Sequence, residues 1–571
     1  MGVLPDIAAI DKVFDYEVPA GLSADVRVGT LVRVRLGRRR VGGWAVADVE
    51  CGERRALRPV AKVTGWGPEP ETIDLAAWAA WRWAGRTATC LRTASADFAV
   101  SELPPPATSP PAPPPSGWLS ALVGEALGRP FGLLRLPPAC DLTPVVAQVA
   151  QRGPTLVVLP TGQRASILAG RLRRAGAGVA LLPGEWPQAR SGAGVVIGTR
   201  GAAWGPCPGL AAVVVIDGHD EALVHHPPPT WDATTVAAER AARAGVPCLV
   251  TSPCPTLDLV GAAAPVHPGA DQERSGWATL EVIDRRGDDP RLGLYSETLG
   301  RRLSRAAAAV CVLNRTGRAR LLACGPCGSL ARCEHCGAAL SEAGDAAASG
   351  ALRCGRCGEG RPRVCAECGS TRLRQLRVGV SRAREELEAL TRRPVGEVTS
   401  ATVDLPDAPI LVGTEAVLNR VRRCDVVAFL DFDQHLLAPR YRANEEALAL
   451  LAGASRLVGG RSGRVLVQTR LPDHEVLRAA ASGEPGRVNE VERGTRRALG
   501  LPPFMTLAAI SGEAAASYAA RVAAAAALEL RGPDEGRWLL SAPDPKTLAD
   551  ALAAVPRPAG KLSIEVDPRR I

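Results

Sequence analysis

Residues 324–337, CGPCGSLARCEHCG, and residues 354–369, CGRCGEGRPRVCAECG, contain four Cys-x-x-Cys pairs, each followed by a glycine. The pairs are Cys324/Cys327, Cys333/Cys336, Cys354/Cys357 and Cys365/Cys368. Two intervening residues let both thiolates reach one tetrahedral Zn²⁺ ion at about 2.3 Å, and a structural zinc site takes four such ligands. The eight cysteines therefore predict a module with two zinc ions, and the full set of ligands indicates structural rather than catalytic zinc. A redox role for the dithiols is the alternative.

The sequence on either side of this region alternates short apolar runs with helical stretches rich in Ala and Arg. Strands alternating with helices predict parallel sheets of the α/β type, one before and one after the cysteines. The predicted strands are 155–159, 179–182, 195–199, 212–217 and 248–251 in the first sheet, and 410–414, 426–431 and 465–469 in the second.

The remaining sequence predicts further domains, because 571 residues exceed what one core usually supports. Residues 103–116 contain eight prolines, which favour an extended, stiff linker. The predicted divisions are an N-terminal β domain (1–70), a helical segment (71–102), a Pro-rich linker (103–117), a first lobe (118–305), the start of a second lobe (306–323), the two-zinc module (324–369), the rest of the second lobe (370–500) and a C-terminal α+β domain (501–571).

The charge balance indicates an anionic partner. The formal net charge is +10, and it stays positive after the thiolates of two zinc sites are counted. Nucleic acid is the commonest partner of a basic surface. The sequence shows no signal peptide and no apolar run long enough to cross a bilayer, so we expect a cytoplasmic protein in which paired cysteines bind metal.

The order of these parts resembles PriA, the primosomal replication restart family of helicase superfamily 2 type. The matching motifs are Leu313-Asn314-Arg315-Thr316-Gly317, Val378-Gly379, Ile197-Gly198-Thr199-Arg200, Val215-Ile216-Asp217, Gly413-Thr414, Leu430-Asp431, Leu501-Pro502-Pro503 and Val566-Asp567-Pro568. The resemblance covers nearly the whole chain and is most specific at the cysteines. It implies two RecA-like lobes flanking the zinc module. The Pro-rich stretch lies about where the family has a winged-helix domain, which is shortened or absent here.

The resemblance also implies binding residues. One zinc is assigned to Cys324, Cys327, Cys365 and Cys368, and the other to Cys333, Cys336, Cys354 and Cys357. A pocket for the 3′ end of a nascent DNA strand is assigned to Phe14, Asp15, Tyr16, Gly37 and Lys62. An aromatic face can stack on a terminal base, a carboxylate can accept hydrogen bonds from it or from the 3′-hydroxyl, and a lysine can face phosphate. The alternative is that Phe14 and Tyr16 only pack the β domain.

The motifs of an ATP-driven motor are incomplete. The expected phosphate loop, Gly132 to Asp141, has no lysine, and Pro137 and Pro138 remove two N–H donors from it. The family's Asp-Glu-Glu-His is replaced by Asp217-Gly218-His219-Asp220, in which Asp217 could still face magnesium. The arginine-bearing segment Gly-Arg-Ala-Gly-Arg is replaced by residues 456–460, RLVGG. We therefore predict no catalytic residues and loss of ATP hydrolysis, with residual ATP and Mg²⁺ binding left open.

Together these features predict a PriA-like DNA-binding protein of replication restart and primosome assembly at stalled forks, without helicase activity. The expected partners are forked or branched DNA, nascent 3′ ends, and primosome or replisome proteins that include the replicative helicase loader and single-stranded DNA-binding protein. One alternative is an ATP-dependent 3′-to-5′ DNA helicase with a cryptic nucleotide site. The other is a zinc-ribbon scaffold that binds only protein.

Overall fold

The computed structural model describes residues 1–7, 10–49, 57–288, 294–313, 322–342, 351–375, 380–399 and 401–570. The motif residues Asn314 to Gly317 and Val378-Gly379 lie outside these ranges. Among the described residues no helix has both the length and the apolar character needed to cross a bilayer.

The N-terminal domain is a β domain, as the sequence predicts, and it is built on a six-stranded mixed sheet. In sheet order its strands are Arg58–Pro59, Phe14–Glu17, Gly2–Pro5, Arg39–Ala47, Leu31–Leu36 and Lys62–Gly65. The two edges are joined because the Val60 N–H donates to the Glu17 carbonyl and the Ala61 N–H to the Arg33 carbonyl, both at 2.9 Å. The sheet therefore closes on itself, which leaves few unpaired edge groups.

Along the strand Leu31–Leu36 successive side chains point to opposite faces of the sheet, so apolar and charged residues alternate between the inside and the outside. Val32 and Val34 are fully buried in its core, whereas Arg33 and Arg35 are exposed on the outer face. One end of the outer face is covered by the helices Pro70–Arg82 and Thr87–Ala94, against which Trp44 packs. The other end of the outer face is open to solvent.

The first lobe contains a six-stranded parallel sheet. In sheet order the strands are Phe131–Arg135, Cys248–Ser252, Ala212–Val215, Thr155–Val158, Val195–Gly198 and Val179–Leu181. The main helices are Trp118–Leu127, Thr143–Val149, Gly162–Arg174, Trp186–Ser191, Ala233–Ala244, Leu257–Ala262 and Ala270–Gly276. The five predicted strands are confirmed. Phe131–Arg135 was not predicted as a strand, because residues from Gly132 onward were assigned to the expected phosphate loop.

The second lobe repeats this architecture with another six-stranded parallel sheet. In sheet order the strands are Thr279–Asp284, Arg464–Thr469, Val426–Phe429, Ala309–Val312, Ile410–Gly413 and Val395–Val398. Its helices are Glu297–Arg305, Val380–Thr391, Asp433–Leu436, Ala443–Leu457, Glu475–Ser482 and Gly486–Ala498.

The predicted boundary between the lobes, at residues 305 and 306, is wrong. Thr279–Asp284 pairs in parallel with Arg464–Thr469 of the second lobe, so that lobe begins close to Thr279. The partner strand is far away in sequence, and local patterns carry no information about such a pairing. The Pro-rich stretch is extended, as predicted, but it lies along the first lobe. The Ala107 N–H donates to the Gly192 carbonyl and the Ala112 N–H to the Ala175 carbonyl.

The cysteine-rich module and the C-terminal domain complete the structure. The module's strands are Leu322–Cys324, Leu340–Ser341, Ala351–Cys354, Gly360–Pro362 and Leu373–Gln375. The C-terminal domain has a four-stranded sheet ordered Glu529–Asp534, Arg537–Ala542, Thr506–Ser511 and Ser563–Val566, with helices Ala515–Ala526 and Pro545–Ala554. This mixture of sheet and helices matches the α+β domain that the sequence predicted.

Candidate metal centres, DNA-end domain and nucleotide cleft

The structure gathers the eight cysteines into two clusters of four, and in each the sulfur atoms lie within 4.8 Å of one another. The clusters are Cys324, Cys327, Cys365 and Cys368, and Cys333, Cys336, Cys354 and Cys357. These are the two sets that the resemblance implies. The first and fourth pairs of the sequence form one cluster, and the second and third form the other.

The sulfur spacing fits a metal rather than disulfides. The Sγ atoms of Cys324 and Cys368 are 3.5 Å apart, and those of Cys336 and Cys354 are 3.4 Å apart. A disulfide requires about 2.05 Å. Ligands at about 2.3 Å from a tetrahedral ion would lie roughly 3.8 Å apart. Both clusters can therefore hold a metal ion.

The backbone explains why a glycine follows each pair. In every pair the glycine N–H donates to the carbonyl of the first cysteine, at 2.9 Å for Gly328, Gly337 and Gly358 and 3.0 Å for Gly369. These glycines have φ between 70° and 78°, a region that other residues avoid. The resulting tight turn aims both thiols of a pair at the same point.

The predicted DNA-end residues lie in the N-terminal sheet in two different settings. Tyr16 is 4% exposed, and its hydroxyl donates to the Arg35 carbonyl at 2.9 Å. Phe14 is half-buried against the same core, with the Lys12 ammonium 5.7 Å from its ring centroid. The two aromatic rings contribute to packing in this structure. A stacking role for them stays a prediction.

Asp15, Gly37 and Lys62 are more accessible to a ligand. Asp15 and Lys62 are exposed. Gly37, with φ of 60°, forms the turn after Leu31–Leu36, and its carbonyl accepts a hydrogen bond from Arg58 at 2.8 Å. Arg58 is in register with Tyr16. The structure thus links Tyr16 and Gly37 at one end of the sheet and leaves the Asp15 carboxylate facing solvent.

In the cleft between the two lobes, where the resemblance places a nucleotide, the central acidic residue Asp217 is paired with two arginines. Asp217, 1% exposed, follows the strand Ala212–Val215. The Arg456 guanidinium reaches across from the second lobe and donates to both Asp217 carboxylate oxygens at 2.9 Å. Arg164 of the first lobe also donates to this carboxylate. Burial opposes ionisation of Asp217, but the Arg164 and Arg456 guanidiniums outweigh it and hold its pKa well below the usual range.

The expected phosphate loop is occupied by the same interaction. The Arg456 Nε donates to the Pro138 carbonyl at 2.9 Å. A phosphate needs backbone N–H donors, whereas this position of the loop presents a carbonyl acceptor that is already bonded to Arg456. No lysine lies between Lys62 and Lys546, so neither lobe can supply the lysine of a phosphate loop. Sequence patterns did not predict that Arg456 lies in this cleft, where its guanidinium pairs with the Asp217 carboxylate.

Other contacts hold the lobes together beside this ion pair. The Glu445 carboxylate accepts from the Leu257 N–H at 2.7 Å, and Asn489 donates to the Pro255 carbonyl at 3.0 Å. Arg442 pairs with Asp258. A cavity of about 810 Å³ remains next to these residues, and its arginines are largely paired with carboxylates. The lobes are therefore fastened by the chain's own side chains.

Comparisons with known proteins find similarity to the PriA family, in the N-terminal domain and along the chain. A family model described as the PriA 3′DNA-binding domain (3′BD) matches residues 2–96. The chain is 29% identical over 612 residues to a probable replication restart protein PriA of Mycobacterium tuberculosis, covering 96% of this chain and 91% of that protein. It is 28% identical over 349 residues to the replication restart protein PriA of Thermotoga maritima, covering 57% of this chain and 47% of that protein. The chain thus spans about half the length of that relative.

Among solved structures, the chain is similar to Saccharomyces cerevisiae Dbp5 bound to RNA and ADP BeF3, with 9% identity and a TM-score of 0.36, over 66% of this chain and 93% of that one. The resemblance to PriA that the sequence indicated is confirmed, in the N-terminal domain by the family model and along nearly the whole chain by the mycobacterial relative.

Proposed function

We propose that the protein binds branched DNA and nascent 3′ ends in replication restart, and that it provides a platform for primosome assembly without unwinding DNA. The observation that carries this proposal is the match of residues 2–96 to a 3′DNA-binding domain. The two metal clusters are proposed to hold zinc, and we place the protein in the cytoplasm. The partner proteins are those of the primosome and replisome, including the helicase loader and single-stranded DNA-binding protein.

The DNA-end part of the proposal depends on Asp15. Its exposed carboxylate can accept a hydrogen bond from the 3′-hydroxyl, whereas a 3′-phosphate would repel it. Glu17 lies two residues further along the same strand, is also exposed and offers a matched control.

The test compares binding of forked DNA that carries a 3′-hydroxyl with the same fork carrying a 3′-phosphate, by fluorescence anisotropy. We expect the wild type to prefer the hydroxyl, Asp15→Ala to lose roughly 10-fold of that preference, and Glu17→Ala to retain it. Equal binding of both ends by the wild type would refute the end-recognition proposal. Failure to bind any fork at low salt would refute DNA binding as a whole.

The proposed absence of a motor rests on the cleft. Magnesium needs a carboxylate, and Asp217 is paired with Arg456; the β and γ phosphates need N–H donors, which Pro137 and Pro138 lack. DNA-stimulated release of phosphate from ATP is the direct test, and we expect none. Turnover that Asp217→Ala abolishes would refute this proposal and favour the helicase alternative.

The platform role is supported by the way the cysteine module is docked. The Ala339 N–H donates to the Leu437 carbonyl at 2.8 Å, and Arg356 donates to the Arg440 carbonyl at 3.1 Å, so the module is anchored on the second lobe. Arg353 also approaches Asp534 of the C-terminal domain. A module fixed at several points presents one defined surface to a partner protein.

A further inference from the structure

The open end of the N-terminal sheet carries a row of cations on its outer face. Arg33 stands directly opposite Lys62 on one neighbouring strand, and Arg35 stands opposite Arg40 on the other. Directly opposite residues of an antiparallel pair point to the same side. We call Arg33, Arg35, Arg40 and Lys62 the cation ladder. All four are exposed, and three more exposed arginines, Arg38, Arg39 and Arg58, lie around the adjacent hairpin turn.

No member of the ladder forms an ion pair with an acidic side chain of residues 1–7, 10–49 or 57–288, or of the other described ranges. Elsewhere in the protein exposed arginines commonly have such partners, for example Arg173 with Glu185 and Arg302 with Glu281. Like charges placed directly opposite each other in a sheet repel and destabilise it. The ladder therefore costs the domain stability, and an external anion would relieve that cost.

The surface beside the ladder is flat enough for close approach. Gly42 lies opposite Arg33 and two residues after Arg40 on the same strand. A Cβ added at Gly42 would meet nothing within 4 Å. Residues two apart on one strand face, such as Arg33 and Arg35, are separated by about 6.8 Å. The Arg33–Lys62 and Arg35–Arg40 pairs, with the bare backbone of Gly42 beside Arg33, form an array of charges that suits a regularly charged polymer better than a single small anion.

We propose that the cation ladder binds the phosphodiester backbone of the DNA strand whose 3′ end the same domain recognises. The ladder supplies affinity that does not depend on the terminal group, and Asp15 supplies end selectivity. This inference rests on the proposed DNA-binding function. The domain's match to a 3′DNA-binding family supports DNA as the anion.

The test uses the full-length triple variant Arg33→Gln, Arg35→Gln, Arg40→Gln and a duplex whose 3′ ends are blocked by phosphate. We expect at least about 10-fold weaker binding at low salt, and a slope of log K against log salt that is smaller by about 2 to 3, since each lost phosphate contact to duplex DNA removes about 0.9. The double variant Arg301→Gln, Arg305→Gln removes exposed charges from the second lobe and should bind like the wild type.

Two further measurements separate the possible outcomes. Gly42→Asp adds an anion at the flat strip and should also weaken binding, whereas Gly42→Ala should not. The thermal midpoint of the triple variant should equal or exceed that of the wild type, because the removed charges repel one another.

Unchanged affinity and salt slope in the triple variant, with a wild type that binds DNA, would overturn the ladder and leave the proposed function standing. A wild type that binds no DNA would overturn both. If the triple variant loses binding of an acidic peptide while its DNA affinity is unchanged, the ladder is a protein-docking surface and the inference is wrong.

Discussion

The cysteine module and the cleft between the lobes differ in how completely they contain the residues that the PriA resemblance implies. The module retains all eight thiols, and each pair retains its glycine turn. The cleft retains Asp217 but lacks the lysine and the N–H-rich loop, and its arginine now binds the aspartate.

The difference follows from how each site contributes to stability. A structural metal site contributes folding free energy only when its tetrahedral set is complete, so losing one thiol affects the whole module. The residues of a nucleotide site contribute to catalysis together, but each can also contribute to packing alone. Asp217 and Arg456 pair with each other across the interface between the lobes, so they can stabilise it whether or not phosphate is bound nearby.

The largest effect should come from breaking a metal cluster. Cys333→Ser removes one ligand of the second cluster, and a structural zinc site contributes roughly 10 kcal/mol. We expect the metal content measured by mass spectrometry to fall from two ions to one per chain, and the module to become sensitive to proteolysis. Cys140→Ser, at a half-buried thiol outside both clusters, is the control and should keep both ions. An unchanged content in Cys333→Ser would contradict the assignment.

The next effect should come from the cleft. Asp217→Asn leaves Arg164 and Arg456 without their carboxylate, and breaking a buried ion pair costs about 3 kcal/mol. Urea unfolding should show this loss of stability. The double variant Asp217→Asn, Arg456→Ala should lose less stability than the sum of the losses in the two single variants. Asp220→Asn, three residues further on, should change little. If Asp220→Asn lowers the free energy of unfolding as much as Asp217→Asn does, the loss in Asp217→Asn does not come from the broken ion pair.

The same ion pair predicts a pH dependence. The guanidiniums lower the pKa of Asp217 in the folded state below the unfolded value of about 3.9, so the unfolded state takes up the proton first. The stabilising contribution is complete above about pH 5 and falls progressively as the pH drops below that value. Unfolding measured from pH 6 to pH 3 should therefore be less steeply pH-dependent in Asp217→Asn than in the wild type. Parallel curves would contradict this account.

The smallest expected effect, the loss of stability when a left-handed glycine is replaced by alanine, should be the same in the cysteine module and beside the cleft. Gly358 of the module and Gly459 beside the cleft have φ of 78° and 80°, and a Cβ at either position meets no atom closer than 4.0 Å. Gly358→Ala and Gly459→Ala should each cost about 1 kcal/mol from the left-handed backbone alone, as measured by thermal unfolding. Both variants should keep their metal. A much larger loss for Gly358→Ala would mean that the substitution disturbs the thiol cluster.

Local patterns were sufficient for the module and for most strands of the lobes. A Cys-x-x-Cys-Gly turn is formed within five residues, and a short apolar run identifies a buried strand, so neither depends on distant partners. Local patterns did not predict pairings between strands that are far apart in the sequence. Thr279–Asp284 pairs with Arg464–Thr469, so the second lobe begins earlier than the sequence predicted.

The sequence by itself determined the eight candidate metal-binding cysteines, the parallel-sheet architecture and the absence of a lysine from the expected phosphate loop, because each depends on the identity and spacing of neighbouring residues. Only the tertiary structure decided that Arg456 binds Asp217, 239 residues away, and that Arg33, Arg35, Arg40 and Lys62 share one solvent face. Those relations arise from lobe packing and strand register, in which side chains are brought together by the burial of other residues rather than by their own order in the chain.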